Sequence, residues 1–124
     1  MRFLSIYKHA ETFQPPSQEE MEKMSKLIEE MSKAGVLVST EGCLPTTNGA
    51  RVRWTGGKLT VTDGPFTETK EQVGGFALLQ ANSLQEAIES AKTFLKVVGS
   101  GECEVRQLYE APALNHEHSA ARKI

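Results

Sequence analysis

Apolar residues along the chain follow two periodicities, one typical of strands and one typical of helices. Residues 2–8 are rich in strand-forming side chains and end at a polar break, so they predict a first strand. A Ser17-x-x-Glu20 capping box then precedes a helix that Gly35 ends. Its apolar residues recur at steps of three and four: Met21, Met24, Leu27, Ile28 and Met31. These methionines favour ordinary core packing over an adaptable binding groove.

The next part of the chain predicts strands that are separated by tight turns. Residues 36–40 form a second strand. Residues 51–54 and 58–62 flank a Gly56-Gly57 turn and predict a β-hairpin. One face of this hairpin is polar, as expected of an antiparallel ribbon that packs on one side only.

The second half of the chain repeats the order strand, helix, strand. Residues 73–81 contain almost no polar side chain and predict a central strand. Ser83 begins a second helix with a capping box to Glu86, and Gly99 ends it. The apolar stripe of this helix consists of Leu84, Ala87, Ile88, Ala91, Leu95 and Val98. Residues 102–109 alternate and predict the last strand.

The order of these elements predicts the fold class. Two β-α-β units joined by an inserted hairpin form a ferredoxin-like α+β sandwich, in which both helices cover one face of the sheet. We expect residues 1–110 to form this single domain. Residues 111–124 lack periodicity, so we expect them to form an extended C-terminal tail.

Both faces of the predicted sheet carry apolar side chains. In the first strand, Leu4 and Ile6 lie on one face, and Phe3 and Tyr7 lie on the other. The helices cover only one of these faces, so a monomer would leave apolar surface exposed. The sequence therefore predicts a homodimer that packs sheet against sheet around an interior cavity, with the hairpin free to cover its rim.

Composition and charge exclude several classes of protein. The chain has 124 residues, of which 24% are charged, and its net charge of −2 lacks the basic surface that nucleic acid binding requires. No apolar run approaches the length of a membrane span, and the first residues lack the apolar stretch of a secretory signal. We therefore expect a cytoplasmic protein with no membrane or nucleic acid partner.

The cysteine and histidine residues do not indicate a metal site. Cys43 and Cys103 are far apart in the sequence and match no metal-ligand spacing, so we interpret them as reduced, partly buried thiols. His116 and His118 stand two positions apart in the predicted tail, without other obvious ligands. We expect neither a metal nor another cofactor.

One segment of the chain carries a specific family resemblance. Residues 61–76, VTDGPFTETKEQVGGF, resemble the signature of the DGPF-domain branch of the YCII-related family, and the likeness extends over residues 1–110. The resemblance implies a dimeric α/β barrel built from ferredoxin-like subunits, which agrees with the element order. Members of the family are mostly small bacterial proteins of undefined activity, some of them encoded beside or joined to alternative sigma factors.

The chain departs from the wider family at one point. YCII-type relatives are often credited with a histidine–aspartate pair whose histidine comes from the first helix, but residues 17–34 contain no histidine here. That pair therefore does not carry over. Asp63 occupies a different position, the aspartate of the Asp-Gly-Pro-Phe motif.

The motif Asp63-Gly64-Pro65-Phe66 has a structural and a functional interpretation. As a turn, it uses an aspartate that accepts backbone hydrogen bonds, a glycine that permits positive φ and a proline that fixes the exit. As a site over the mouth of a cavity, Asp63 acts with nearby charged residues, namely Glu41, Glu68, Lys70 and Glu71. A carboxylate beside a lysine in a partly dry pocket has the perturbed pKa that proton transfer requires.

Three further features are candidates for the same site, and each has a plainer explanation. His9 follows the first strand and is a candidate general base, although loop histidines are usually solvated. The glycines Gly74 and Gly75 inside a strand indicate close approach of a ligand or of another backbone, or a bulge. Trp54 and the arginines of the hairpin either bind an anionic or aromatic ligand or form cross-strand surface pairs.

Three functions remain open at the level of sequence. In the first, the dimer cavity is an enzyme site in which Asp63, Glu41 and Lys70, with His9, transfer protons without a cofactor. In the second, the cavity binds a small molecule without turning it over. In the third, the protein is a partner-binding module linked to sigma-factor-type transcription regulation. We favour a homodimeric small-molecule-binding protein and incline to an enzyme.

Overall fold

A computed structural model describes residues 1–12 and 14–110 of the chain. Its elements follow in the order β1 (Arg2–His9), α1 (Gln18–Lys33), β2 (Leu37–Gly42), β3 (Ala50–Thr55), β4 (Lys58–Asp63), β5 (Gln72–Gln80), α2 (Leu84–Val98) and β6 (Glu102–Gln107). A 3₁₀ turn at Thr46–Asn48 precedes β3. The predicted tail, residues 111–124, lies outside the described residues, as do His116 and His118.

Four strands form one antiparallel sheet in the order β2-β5-β1-β6. Each β-α-β unit supplies one inner strand and one edge strand, so the two units interlock in the ferredoxin-like arrangement. The predicted fold class is confirmed, and β5 is an inner strand as its apolar sequence predicted. The hairpin strands β3 and β4 form a separate two-stranded sheet.

Side-chain caps fix the first turn of both helices. The Oγ of Ser17 accepts a hydrogen bond from the N–H of Glu20 at 3.1 Å, and the Glu20 carboxylate accepts one from the N–H of Ser17 at 2.7 Å. In α2, the Oγ of Ser83 accepts from the N–H of Glu86 at 3.2 Å, but the Glu86 carboxylate accepts from the N–H of Asn82. The return bond of the second capping box is therefore displaced by one residue, and the helix still begins as predicted.

The helix-covered face of the sheet changes from large to small side chains along the strands. At one end, Leu37, Leu79 and Phe3 stand side by side on neighbouring strands, and Phe3 is fully buried in the same cluster as Ala87 of α2. The next two rows consist of Thr40, Ala77, Ser5 and Val105, and then of Gly42, Gly75, Tyr7 and Cys103. Because most of these residues are small, the helices and the sheet pack less fully over these rows.

The glycine pair in β5 is explained by contacts within the chain. Gly74 is the extra residue of a bulge opposite β1, and a Cβ at this position would lie 2.4 Å from the His9 ring. A Cβ on Gly75 would lie 2.6 Å from the carbonyl oxygen of Glu41. Both the bulge and the close backbone approach that the sequence indicated are therefore present.

The face of the sheet opposite the helices is partly apolar and open. Leu4, Ile6 and Leu78 are half-buried there, while Phe76 and Val73 are 38% and 50% exposed. We call this surface, defined by these five residues, the open sheet face. Its presence agrees with the predicted alternation of β1.

The hairpin carries a second apolar surface. Val52 pairs with Val61 and Trp54 pairs with Leu59, so all four side chains lie on one face of the ribbon. Each of the four is at least 65% exposed. The ribbon is amphipathic as predicted, but its apolar side is not covered within the described part of the chain.

The Asp63–Phe66 loop connects the hairpin to the sheet and packs on the Thr46 turn. The N–H of Gly64 donates to the carbonyl of Gly49 at 3.0 Å, and the N–H of Phe66 donates to Thr46 Oγ1 at 3.1 Å. Glu11 accepts hydrogen bonds from the N–H and the hydroxyl of Thr46 at 2.5 and 2.9 Å. The loop, the turn and the segment after β1 therefore form one hydrogen-bonded cluster.

Gly64 is required in this loop for a reason that differs from the predicted one. Its φ is not in the positive range, but a Cβ would lie 1.7 Å from the carbonyl oxygen of Thr46. Glycine thus lets two backbones meet, and it does not serve a left-handed turn. The Asp63 side chain is exposed, and Thr46 and Gln72 supply side-chain hydrogen bonds to Phe66 instead.

We expect Gly64→Ala to lower the free energy of unfolding by about 2 kcal/mol, because the added methyl group must displace the Thr46 backbone. Gly49→Ala is the matched control, since a Cβ there would meet the same carbonyl oxygen at an ordinary 3.6 Å. Urea denaturation of both variants measures the difference. Equal unfolding midpoints for the two variants would show that this contact does not stabilise the fold.

Candidate functional site

A cavity of about 470 Å³ lies between the two helices and the sheet. It lies over the rows of small side chains described above, where Ser5, Ala77 and Gly75 leave room beneath the helices. Apolar side chains from both helices complete its wall, among them Met24, Leu27, Met31, Ala91, Phe94 and Val98. Both the volume and the apolar lining are typical of sites for small molecules.

A hydroxyl and a thiol meet inside this cavity. Ser5 on β1 is only 6% exposed, and both Ser5 and Cys103 on β6 line the cavity. Burial raises the pKa of the Cys103 thiol above its ordinary value, and the nearby Ser5 hydroxyl opposes this shift. Cys103 is therefore a protonated thiol at neutral pH and can donate or accept a weak hydrogen bond.

Tyr7 forms one end of the cavity together with two other rings. Its ring packs edge-on against Phe94 with centroids 5.1 Å apart and stacks on His9 at 5.0 Å. Its hydroxyl donates to the carbonyl of Ser100 at 2.9 Å. Burial raises the pKa of Tyr7, the hydrogen bond to Ser100 opposes the shift, and the charge of Glu71 adds to it. The phenol therefore stays neutral.

The residues that line the cavity include few ionisable groups. Glu41, Tyr7 and Cys103 are the ionisable residues of the lining among the described residues, but Glu41 pairs with Phe76, so its exposed side chain lies on the opposite face of the sheet. The lining includes no lysine, arginine, histidine or aspartate from residues 1–12 and 14–110. The arrangement suits a ligand held mainly by apolar contact.

The Asp63–Phe66 loop, by contrast, lies among charges that pair with one another. The guanidinium of Arg51 lies 3.9 Å from the centre of the Phe66 ring and forms an ion pair with Glu68. This hydrogen bond from Arg51 lowers the pKa of Glu68. Trp54 lies on the other face of the hairpin, so it forms a cross-strand pair and shares no ligand site with Arg51.

Comparison with known families identifies one family over most of the chain. The family model for the YCII-related domain matches residues 1–112. The chain belongs to the YCII-related family. The resemblance drawn from residues 61–76 is thereby confirmed at the level of the family. A comparison with curated proteins finds no significant match.

The structure of this YCII-related protein separates the predicted site residues. Glu41 and Gly75 line the cavity, and His9 stacks on Tyr7 at its edge. Asp63 and Lys70 are exposed and do not line it. The remaining predicted residues, Gly64, Pro65, Phe66, Glu68 and Glu71, belong to the loop between β4 and β5.

Other lining residues were not recognised as candidates in the sequence. Met24 and Met31 were interpreted as core, and Cys103 as a buried thiol, yet all three line the cavity of this YCII-related protein. One signal for them was present, because Ser5 interrupts the large side chains that share its face of β1. A small polar residue at that position indicates space in the layer above.

Two further features of the YCII-related chain concern metals and membranes. The described residues contain no group of three histidine, cysteine or acidic side chains that could hold a metal ion. Among the helices of residues 1–12 and 14–110, none has the length and apolar character needed to cross a membrane.

The two thiols of this YCII-related protein provide a test of the site. We expect Cys103, in a Cys43→Ser variant, to react with an aromatic disulfide reagent at least about tenfold more slowly than Cys43 in a Cys103→Ser variant. Burial restricts access to Cys103 and keeps its thiol protonated, whereas Cys43 is exposed. In urea, both variants should react at similar rates. Equal rates in the folded variants would contradict the enclosed position of Cys103.

Proposed function

We propose that this protein is a homodimer that binds a small molecule in the cavity between its helices and its sheet. The observation that carries the proposal is the cavity of about 470 Å³, with apolar walls and a few polar groups such as Ser5 and Cys103. Protein cores normally leave few voids larger than a water molecule, because unfilled space forfeits contacts between side chains. A cavity of this size is better explained as a ligand site than as ordinary core packing.

Two surfaces support the homodimer. The open sheet face exposes Phe76 and Val73, and the hairpin exposes the apolar face that contains Trp54. Apolar patches of this kind mark interaction sites, and aromatic side chains such as tryptophan often dominate their binding energy. A second copy of the chain offers the same apolar sheet face in return, as a symmetric dimer requires.

An acid–base enzyme is the second candidate function. It is favoured by the position of His9 on the ring of Tyr7, at the edge of the cavity. In this hypothesis, His9 exchanges protons with the bound molecule without a cofactor. The carboxylate of Glu41, which shares the open sheet face with Phe76, does not face that molecule. Asp63 and Lys70 take part only if the dimer brings the loop of one copy to the ligand.

A cytoplasmic partner-binding module linked to sigma-factor-type transcription regulation is the alternative. The exposed apolar face of the hairpin favours it, because Val52, Trp54, Leu59 and Val61 could contact a different protein. Small-molecule binding and partner binding depend on different parts of the structure. Ligand binding needs the cavity, whereas the module needs the hairpin surface to stay free in the dimer.

The cavity can be tested with the neutral fluorescent probe N-phenylnaphthylamine. We expect a saturable rise in fluorescence with the wild-type protein and a loss of at least about tenfold in affinity with Ala91→Leu, because the larger side chain occupies the cavity. Gln85→Leu adds the same side chain at an exposed position of α2 and should leave binding unchanged. Equal binding by wild type and Ala91→Leu would overturn the proposal.

The dimer can be tested by light scattering coupled to gel filtration. We expect the wild-type mass to be twice 13.6 kDa and Phe76→Glu to be a monomer, because the substitution places a charge on the open sheet face. Leu84→Glu alters a similarly exposed apolar residue on α2 and should stay dimeric. A monomeric wild-type protein would contradict the dimer without affecting the cavity.

A further inference from the structure

The charge of the cavity wall limits the kind of molecule that fits it. On the basis of the proposed function, we infer that the ligand is neutral and largely apolar. A charged ligand loses its hydration on entry and needs a counter-charge in the wall. Within the described residues, the lining provides no cationic side chain, and its one acidic residue, Glu41, pairs with Phe76 and so directs its carboxylate to the opposite face of the sheet.

Three cations of neighbouring elements form ion pairs with acidic side chains. Lys8 belongs to the opposite face of the sheet and donates to Glu104 at 2.8 Å. Lys92 on α2 pairs with Glu89 at 3.0 Å, and Arg51 pairs with Glu68. These cations do not line the cavity, so an anionic ligand would enter it without a counter-ion. A cationic ligand would likewise meet no carboxylate that faces the cavity among the described residues.

The hydrogen-bonding capacity of the wall is small. The Tyr7 hydroxyl donates to the carbonyl of Ser100 at 2.9 Å, and the Thr40 hydroxyl donates to the carbonyl of Phe76 at 2.7 Å. Ser5 and Cys103 form the central polar pair of the wall, and Ser90 adds one hydroxyl from α2. Each of these three groups can donate only one hydrogen bond to a ligand. A molecule with many hydroxyl groups, such as a sugar, would leave most of them unpaired.

The apolar part of the wall favours a molecule with substantial hydrocarbon surface. Met24, Met31 and Leu27 of α1 face the sheet rows across the cavity, and Phe94 adds an aromatic ring from α2. Methionine side chains are flexible and polarisable, so they adapt to flat and bulky groups alike. The ligand therefore gains its affinity from apolar burial and its orientation from the Ser5–Cys103 pair.

Two dyes that differ by one charged group test this inference. N-phenylnaphthylamine is neutral, and anilinonaphthalene sulfonate is the same ring system with a sulfonate. The fluorescence that is lost in Ala91→Leu reports binding inside the cavity. For this fluorescence, we expect the neutral dye to bind at least about tenfold more tightly than the sulfonate dye, because the sulfonate would be buried without a counter-charge. Equal or tighter binding of the sulfonate dye, measured by the same fluorescence, would overturn the inference and leave the proposed function intact.

A gain-of-function variant completes the experiment. Ser90→Arg places a cation in the cavity wall and should shift the preference toward the sulfonate by at least about tenfold. An unchanged preference would also overturn the inference. If Ala91→Leu does not fold, Ser90→Leu blocks the same cavity from a half-buried position. If neither dye responds to blocking the cavity, the proposed function fails instead.

Discussion

The backbone contact between β2 and β5 at Gly75 is the constraint on which the cavity depends. A Cβ on Gly75 would lie 2.6 Å from the carbonyl oxygen of Glu41. The two strands can therefore approach each other only because Gly75 has no side chain. At this row, β2 and β5 therefore present the side-chain-free residues Gly42 and Gly75 to the helices. At the other end of the sheet, Phe3 and Leu79 hold the helices away from the strands. The space between these two ends is the cavity.

The Asp63–Phe66 motif has a structural role that does not require catalysis. Gly64 lets the loop contact the Thr46 turn, and Phe66 accepts the guanidinium of Arg51 on its ring. These contacts fix the hairpin relative to the sheet. The hairpin can then present its apolar face to a second copy of the chain in one orientation. The motif thus contributes to the proposed function by positioning a surface and lies outside the cavity wall.

The sequence predicted the fold well because the signals for its elements are local. The Ser17 cap, the glycine turn of the hairpin and the apolar run of β5 each identify an element from a few neighbouring residues. The Glu86 carboxylate accepts a hydrogen bond from the N–H of Asn82, one residue before the predicted partner Ser83. A flexible carboxylate can reach either N–H group. Such a shift does not change where the helix begins.

The candidate site was harder to predict because it depends on register between strands. That Ser5, Ala77 and Thr40 share one row follows from pairing across β1, β5 and β2, and the bulge at Gly74 changes the pairing beyond that row. No local pattern contains this information. The charged residues after Asp63 instead predicted a site in that loop. In the structure, Asp63 and Lys70 are exposed, as charged side chains commonly are.

The methionines of α1 can show directly whether a ligand occupies the cavity between the helices and the sheet. Met24 and Met31 line the cavity, whereas Met21 on the same helix is 46% exposed. In protein labelled with carbon-13 at the methionine methyl groups, titration with N-phenylnaphthylamine should shift the Met24 and Met31 resonances and produce contacts between their methyl protons and the dye. The Met21 resonance should stay in place. A shift of Met21 with no change at Met24 and Met31 would place the dye on the outer surface and contradict the account.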